Sequence, residues 1–299
     1  MGFFTRYKGR RSYDLLSSYN HFMPGFGDLG MIVVFLIIGT VLGSLMLSIF
    51  IALGYETAVI RYGMLIAYPM MFIPAMLYAS SRSRRNEGFE DGYTLDNNNF
   101  GSHKWYTMTF VAIAMSLATA FVIEPIGRLL PEMDEATAKK MEVLMDGPAW
   151  VTFISVSIFA PFFEEWLCRG IVLRGLLKKV GPAWAIIISA LFFGLIHLNI
   201  WQAIPAFIMG VVFGYVYYKT GSLKLTMLMH FANNTLAFVL TLIPSLKYIN
   251  YYSDALQPWA YVCIYVAALV VIVSGFALLA GIKQKDGNLG GCKVIKSIL

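Results

Sequence analysis

Eight apolar runs, each close to the length of a bilayer-spanning helix, follow one another along this 299-residue chain and leave it few ways to fold. They cover approximately 31–54, 62–80, 105–123, 149–166, 183–199, 202–218, 225–243 and 258–281. A hydrocarbon layer about 30 Å thick takes roughly 20 helical residues to cross. Inside it every backbone N–H and C=O must be satisfied by the chain itself, which admits only helices and closed barrels. Continuous apolar runs, rather than alternating ones, select the helix. With 58% hydrophobic and 13% charged residues and a mean hydropathy of +0.67, the chain is far from the roughly 25% charged residues of a soluble domain. The expected fold is an all-α, polytopic transmembrane bundle of about eight spans, without internal repeats.

The charges sort along the chain. Basic residues occupy the N-terminal stretch (Arg6, Lys8, Arg10, Arg11), the loop opened by Arg82, Arg84 and Arg85, the segment Arg169 to Lys179, the Lys219–Lys224 turn and the C-terminal tail. The loop 124–148 is acidic on balance. The positive-inside rule then predicts both termini on the cytoplasmic side. The net charge of +6 points to anionic lipid headgroups and not to nucleic acid. The expected organisation is a basic, interfacial segment 1–30, a transmembrane domain 31–281 and a cytoplasmic tail 282–299. The first span is predicted to serve as an uncleaved anchor. The location is integral and multi-pass, in the plasma membrane if the source is prokaryotic. Cys168, Cys263 and Cys292 show no paired spacing, so packing is expected of them and no disulfide framework.

Ionisable groups are costly at membrane depth and mark functional sites there. No Asp, Glu, Lys, Arg or His lies in spans 1, 2, 3, 6 or 8. Those within the domain are Glu164, Glu165 and Arg169 on the helix of the fourth span, which continues past 166, His197 in the fifth and His230 in the seventh. Interhelical polar contacts that only lock helices together are the plain alternative. Glu165 and Arg169 are i,i+4 and share a helix face, as an ion pair requires. Glu164 points about 100° away and is left as the freer carboxylate, suited to general-base work. Phe193 stands one turn before His197, to wall the cavity and hold the imidazole. His230 and Asn234 are likewise one turn apart and suit a developing oxyanion, with Asn233 ranked second. By helix rise, His230 reaches the depth of Glu164 and His197 only if the hairpin tip between spans 4 and 5, with Arg174, Lys178 and Lys179, projects some 10 Å beyond the turn between spans 6 and 7.

Glu-Glu-x-x-x-Arg (Glu164, Glu165, Arg169), Phe-x-x-x-His (Phe193, His197) and His-x-x-x-Asn (His230, Asn234) resemble, in order, the three motifs of the CPBP intramembrane proteases. That family includes CAAX prenyl endopeptidases and bacterial members linked to bacteriocin processing and self-immunity. The resemblance covers residues 161–238 and implies a protease core over 149–243. It implies peptide-bond hydrolysis in which Glu164, assisted by His197, activates water while His230 and Asn234 stabilise the oxyanion. Glu165, Arg169 and Phe193 would support them. The substrate would be a peptide or a lipidated or membrane protein, with membrane lipids around it. No cofactor is required in this reading. Zinc held by Glu164, His197 and His230 is the alternative, although the His-Glu-x-x-His helix motif is missing.

Other signals weigh less. Gly25-Phe26-Gly27-Asp28 with Tyr13-Asp14 upstream resembles an intramembrane aspartyl protease pair, but both lie before the first span and read as a turn into it. His21 and His103 are expected to be solvated. The cluster Tyr248, Tyr251, Tyr252, Trp259 and Tyr261 reads as an interfacial belt. Competing classes are a transporter using Glu164 and the histidines as a proton relay, and a non-catalytic immunity scaffold. The cavity is expected to open towards the cytoplasmic side.

Overall fold

The computed structural model describes residues 15–139, 147–246, 251–284 and 292–295. Arg6, Lys8, Arg10, Arg11, Tyr13, Asp14 and Tyr248 lie outside them. The described chain is helical, apart from a two-residue antiparallel pairing of Gly92–Tyr93 with Val294–Ile295. Among the described residues seven helices are long and apolar enough to cross a membrane: α1 (Phe26–Ala52), α2 (Met64–Asn86), α3 (Trp105–Gly127), α4 (Ala149–Leu177), α6 (Ile200–Thr220), α7 (Leu223–Leu242) and α8 (Pro258–Ala280). The fifth apolar run forms the shorter α5, Pro182–Leu195, of 14 residues. At about 1.5 Å per residue it covers roughly 21 Å, less than the bilayer core.

Local sequence sets these limits. Pro24 and Gly25 keep the chain extended, and Asp28 Oδ2 accepts from the Gly25 N–H at 3.1 Å, so α1 starts at Phe26, ahead of the apolar run itself. The Gly-Asp sequence is therefore a helix start, and Asp28 also takes the Tyr78 hydroxyl at 2.7 Å. Gly181-Pro182 opens α5, and Asn199 caps α6 by accepting from Gln202 N at 2.9 Å. Gly221, at φ +64°, supplies the left-handed residue that ends α6 before Ser222 caps α7.

Packing separates core from lipid face. On α1, Ile32, Leu36, Gly39 and Gly43 form the buried stripe, while Ile37, Val41 and Leu45 point outward. Gly39 lies where α1 meets α2: a Cβ there would collide with the Met70 and Met71 carbonyl oxygens. Among the described spanning helices α4 is the most enclosed: 67% of its most apolar window is buried, against 17% for α1 and α8.

α4 is also irregular. Ile154–Phe159 and Trp166–Leu173 are π-helical and flank the regular turn Ala160–Glu165 that carries both glutamates. Pro161, with no N–H and a ring that crowds the preceding turn, accounts for the first widening. π-Helical segments of this kind gather at functional sites. Gly170 packs against the side chain of Leu223, the first residue of α7. Glu164 lies six residues before that contact and His230 seven after Leu223, which brings the two to one depth. Beyond it α4 continues from Ile171 to Leu177.

That continuation is fastened by Arg174. Far from standing in a solvated basic tip, Arg174 is fully buried. Its guanidinium donates to the carbonyls of Tyr19 at 2.7 Å, Phe22 at 2.8 Å, and Tyr93. An arginine fork satisfies several backbone carbonyls at once. His21 is likewise half-buried, with its Nδ1 3.0 Å from the Glu90 carbonyl, whereas His103 is exposed. Cys168 and Cys292 are buried, and burial pushes the Cys292 thiol up; Cys263 faces outward.

Candidate active site

The doublet on α4 splits between two partners. Glu165 is fully buried and takes Arg169 Nη1 at 2.7 Å, the i,i+4 ion pair its spacing predicts. Arg169 Nη2 donates to the Gly210 carbonyl of α6 at 3.0 Å, and its guanidinium lies over the Phe193 ring at 4.5 Å. Glu165 Oε1 also lies 3.2 Å from Nδ1 of His230 on α7. A carboxylate paired with arginine only accepts, so Nδ1 carries the proton and Nε2 faces Glu164. The Glu165–Arg169 pair thus does more than lock α4: it fixes the orientation of His230.

Glu164 is buried but lines a cavity of about 1010 Å³. Its Oε1 accepts from the Tyr68 hydroxyl of α2, while Oε2 has no hydrogen-bond partner. His230 Nε2 lies 3.9 Å from that free oxygen. The separation is too long for a direct bond and invites a water resting on both atoms.

His197 sits just past the end of α5, in the same cavity. Its Nδ1 donates to the Phe193 carbonyl at 2.9 Å, which leaves Nε2 with a free lone pair. The turn that holds it is strained: Leu198 adopts φ +57°, and Asn199 Nδ2 ties back to the His197 carbonyl at 2.9 Å. Phe193 stands edge-on to both imidazoles, with centroids 5.4 Å from His197 and 5.5 Å from His230.

Asn234 lines the cavity and has a second attachment. Its Nδ2 donates at 2.9 Å to the carbonyl of Val156, five residues before Pro161. In a π-helical pattern that carbonyl would await the N–H that proline lacks, so Asn234 satisfies an orphan of α4. Asn233 also lines the cavity and donates to Asn234 Oδ1 at 3.2 Å.

Glu164, Phe193, His197, His230 and Asn234 therefore line one volume, while Glu165 and Arg169 are buried and hold His230 and Phe193 from behind it. Tyr68 joins them and escaped the sequence reading, which counted only charged groups and histidines in the spans. The signal was there: a tyrosine in mid-span must find a partner for its hydroxyl. Tyr68→Phe leaves one Glu164 oxygen without its donor. It is expected to lower stability by about 1.5–3 kcal/mol, the usual range for a hydrogen bond to a charged group, read as an earlier unfolding midpoint in detergent.

The zinc reading fits the donors poorly. Among the described residues no three His, Cys, Asp or Glu side chains are gathered as a metal-holding group.

The cavity runs away from the basic loops. Its walls continue to Arg61, Gly127, Gly147, Gln202 and Tyr251, all at the end of the bundle opposite Arg174. No residue of the basic loops lines it; at their end Arg174 ties together the segments it binds. Tyr251 and Tyr252 line the opposite mouth, where Arg128 stacks on the Tyr251 ring at 4.2 Å.

Residues 146–236 match the family described as Type II CAAX prenyl endopeptidase Rce1-like. That match begins just before α4 and ends after Asn234, so it holds every CPBP motif residue, and leaves α1–α3 and α8 outside. A Bacillus subtilis (strain 168) protein named "Putative membrane peptidase YdiL" is 27% identical over 123 residues. The aligned stretch is 41% of this chain and about half the length of that relative. No solved structure matches the chain.

Proposed function

We propose that the protein is an intramembrane endopeptidase in which Glu164 activates water. One observation carries the reading: the unpartnered Oε2 of Glu164 stands 3.9 Å from His230 Nε2 on the wall of a large, mainly apolar cavity. Glu164 removes a proton from water as the water oxygen bonds to the scissile carbonyl carbon, then returns that proton to the departing amine. His197, with Nε2 free, assists by holding the water.

The oxyanion forms beside His230 and Asn234. Because Nδ1–H of His230 is committed to Glu165, donation from Nε2 requires the doubly protonated ring, and the Glu165 carboxylate lies in place to balance that charge. Asn234 keeps its second amide hydrogen for the same task. The family match and the peptidase relative support this chemistry. The substrate is a peptide or membrane-associated protein segment, bound where lipid surrounds the bundle.

The test is cleavage of a peptide library by purified protein in detergent, with Glu164→Ala and His230→Ala alongside. Both variants are expected to be inactive, and a zinc chelator is expected to leave the native rate unchanged. Cleavage that survives both substitutions would refute the site, and loss of activity with chelator would refute metal-free chemistry.

A further inference from the structure

Two features bear on which side of the membrane the site serves. The first is where the basic segments meet. The Asn97 and Asn99 N–H groups bond to the carbonyls of Gly221 and Thr220 at 2.8 Å, the Thr94 N–H bonds to Lys293 at 3.0 Å, and the Tyr93 N–H bonds to Asn20 at 2.8 Å. With Arg174 on Tyr19, Phe22 and Tyr93, these bonds join the N-terminal segment, the loop after α2, the α4–α5 tip, the α6–α7 turn and the tail at one end. Arg82, Arg84, Arg85, Lys178, Lys224 and Lys293 lie at that end. The other end carries Glu56, Glu124, Glu132, Asp134, Glu135 and Asp254, with Arg61, Arg128 and Lys139 against them. The asymmetry is what the positive-inside rule uses to set orientation.

The second feature is the direction of the cavity. It passes from Glu164 and His230 to the acidic end, through Met71, Val156, Ile123 and Leu236, and no residue of the basic loops lines it.

We infer that the site is reached from the non-cytoplasmic side and takes apolar peptide segments presented there. This rests on the peptidase reading for its chemistry, but on geometry and charge for its side. An extended chain enters between Arg61, Gln202 and Tyr251 and lays apolar side chains along the walls, which brings a peptide bond to Glu164. A lipidated tail held at the cytoplasmic leaflet meets the fastened, basic end instead.

Cysteine labelling in sealed vesicles separates the possibilities. In a Cys263→Ala background, where Cys168 and Cys292 are buried, Gln202→Cys and Lys178→Cys are probed with a membrane-impermeant maleimide. Gln202→Cys is expected to label in right-side-out vesicles and Lys178→Cys only in inverted ones. The reverse pattern would overturn the orientation. A second arm adds free apolar peptides outside right-side-out vesicles carrying the native protein. Cleavage without lysis, absent in Glu164→Gln, is the expected result. Cleavage confined to inverted vesicles would overturn the inference even if labelling agreed. Labelling as expected with no cleavage on either side would instead refute the peptidase reading, and the substrate assignment with it.

Discussion

Glu164→Gln is expected to lower the rate of peptide hydrolysis by about 10²–10⁴-fold, the usual contribution of a positioned general base. The substitution keeps the shape of the side chain, and its amide oxygen still accepts from Tyr68. The unfolding midpoint should therefore stay close to that of the native protein, which separates loss of chemistry from loss of fold. Glu165→Gln gives a different signature. It weakens the bond to Arg169 and removes the charge beside His230 Nδ1, so rate and stability fall together. A Glu164→Gln enzyme that retained activity within a few-fold of native would end the assignment of Glu164 as base.

Arg169→Ala is expected to have the largest effect on stability. Both partners of the Glu165–Arg169 pair are fully buried, and removing one cation leaves a carboxylate in the bundle interior without compensation. Losses of about 3–5 kcal/mol accompany such half-broken buried pairs. The same change removes the bond to the Gly210 carbonyl and the stacking on Phe193, which loosens α4 from α5 and α6. Thermal unfolding of the purified variant in detergent reads the loss. A double variant, Glu165→Gln with Arg169→Met, is expected to recover much of it, because an uncharged pair of similar volume carries no stranded charge. If the double variant were no more stable than Arg169→Ala, the stranded carboxylate would not be the cause.

Much of this site was legible in the sequence because charge inside a lipid-soluble span is so costly that it stands out unaided. Glu164, Glu165, Arg169, His197 and His230 identified themselves in that way, and the spacing of Glu165 and Arg169 fixed their pairing. Helical spacing could not reveal the link between Glu165 and His230. It joins two helices, and spacing along one helix says nothing of what a second helix brings against it. Tyr68 was hidden for another reason: an aromatic residue in an apolar span reads as packing until its hydroxyl is located. The direction of the cavity was out of reach as well, since charge patterning orders the loops but says nothing of which end of a bundle is fastened. Arg174 fastens the basic end, and in sequence it looked like one more basic residue of a turn.

Arg174 also sets an order of events during synthesis. Its carbonyl partners Tyr19 and Phe22 precede it by 155 and 152 residues, and Tyr93 by 81. As the chain emerges and the first three spans insert, those carbonyls wait without their donor until α4 has been made. The α1–α2 pair can meet early through Gly39, but the segment before it is secured only when the fourth span arrives. A nascent chain stopped after α3 would keep residues 15–25 open to protease, and completion of α4 would close them.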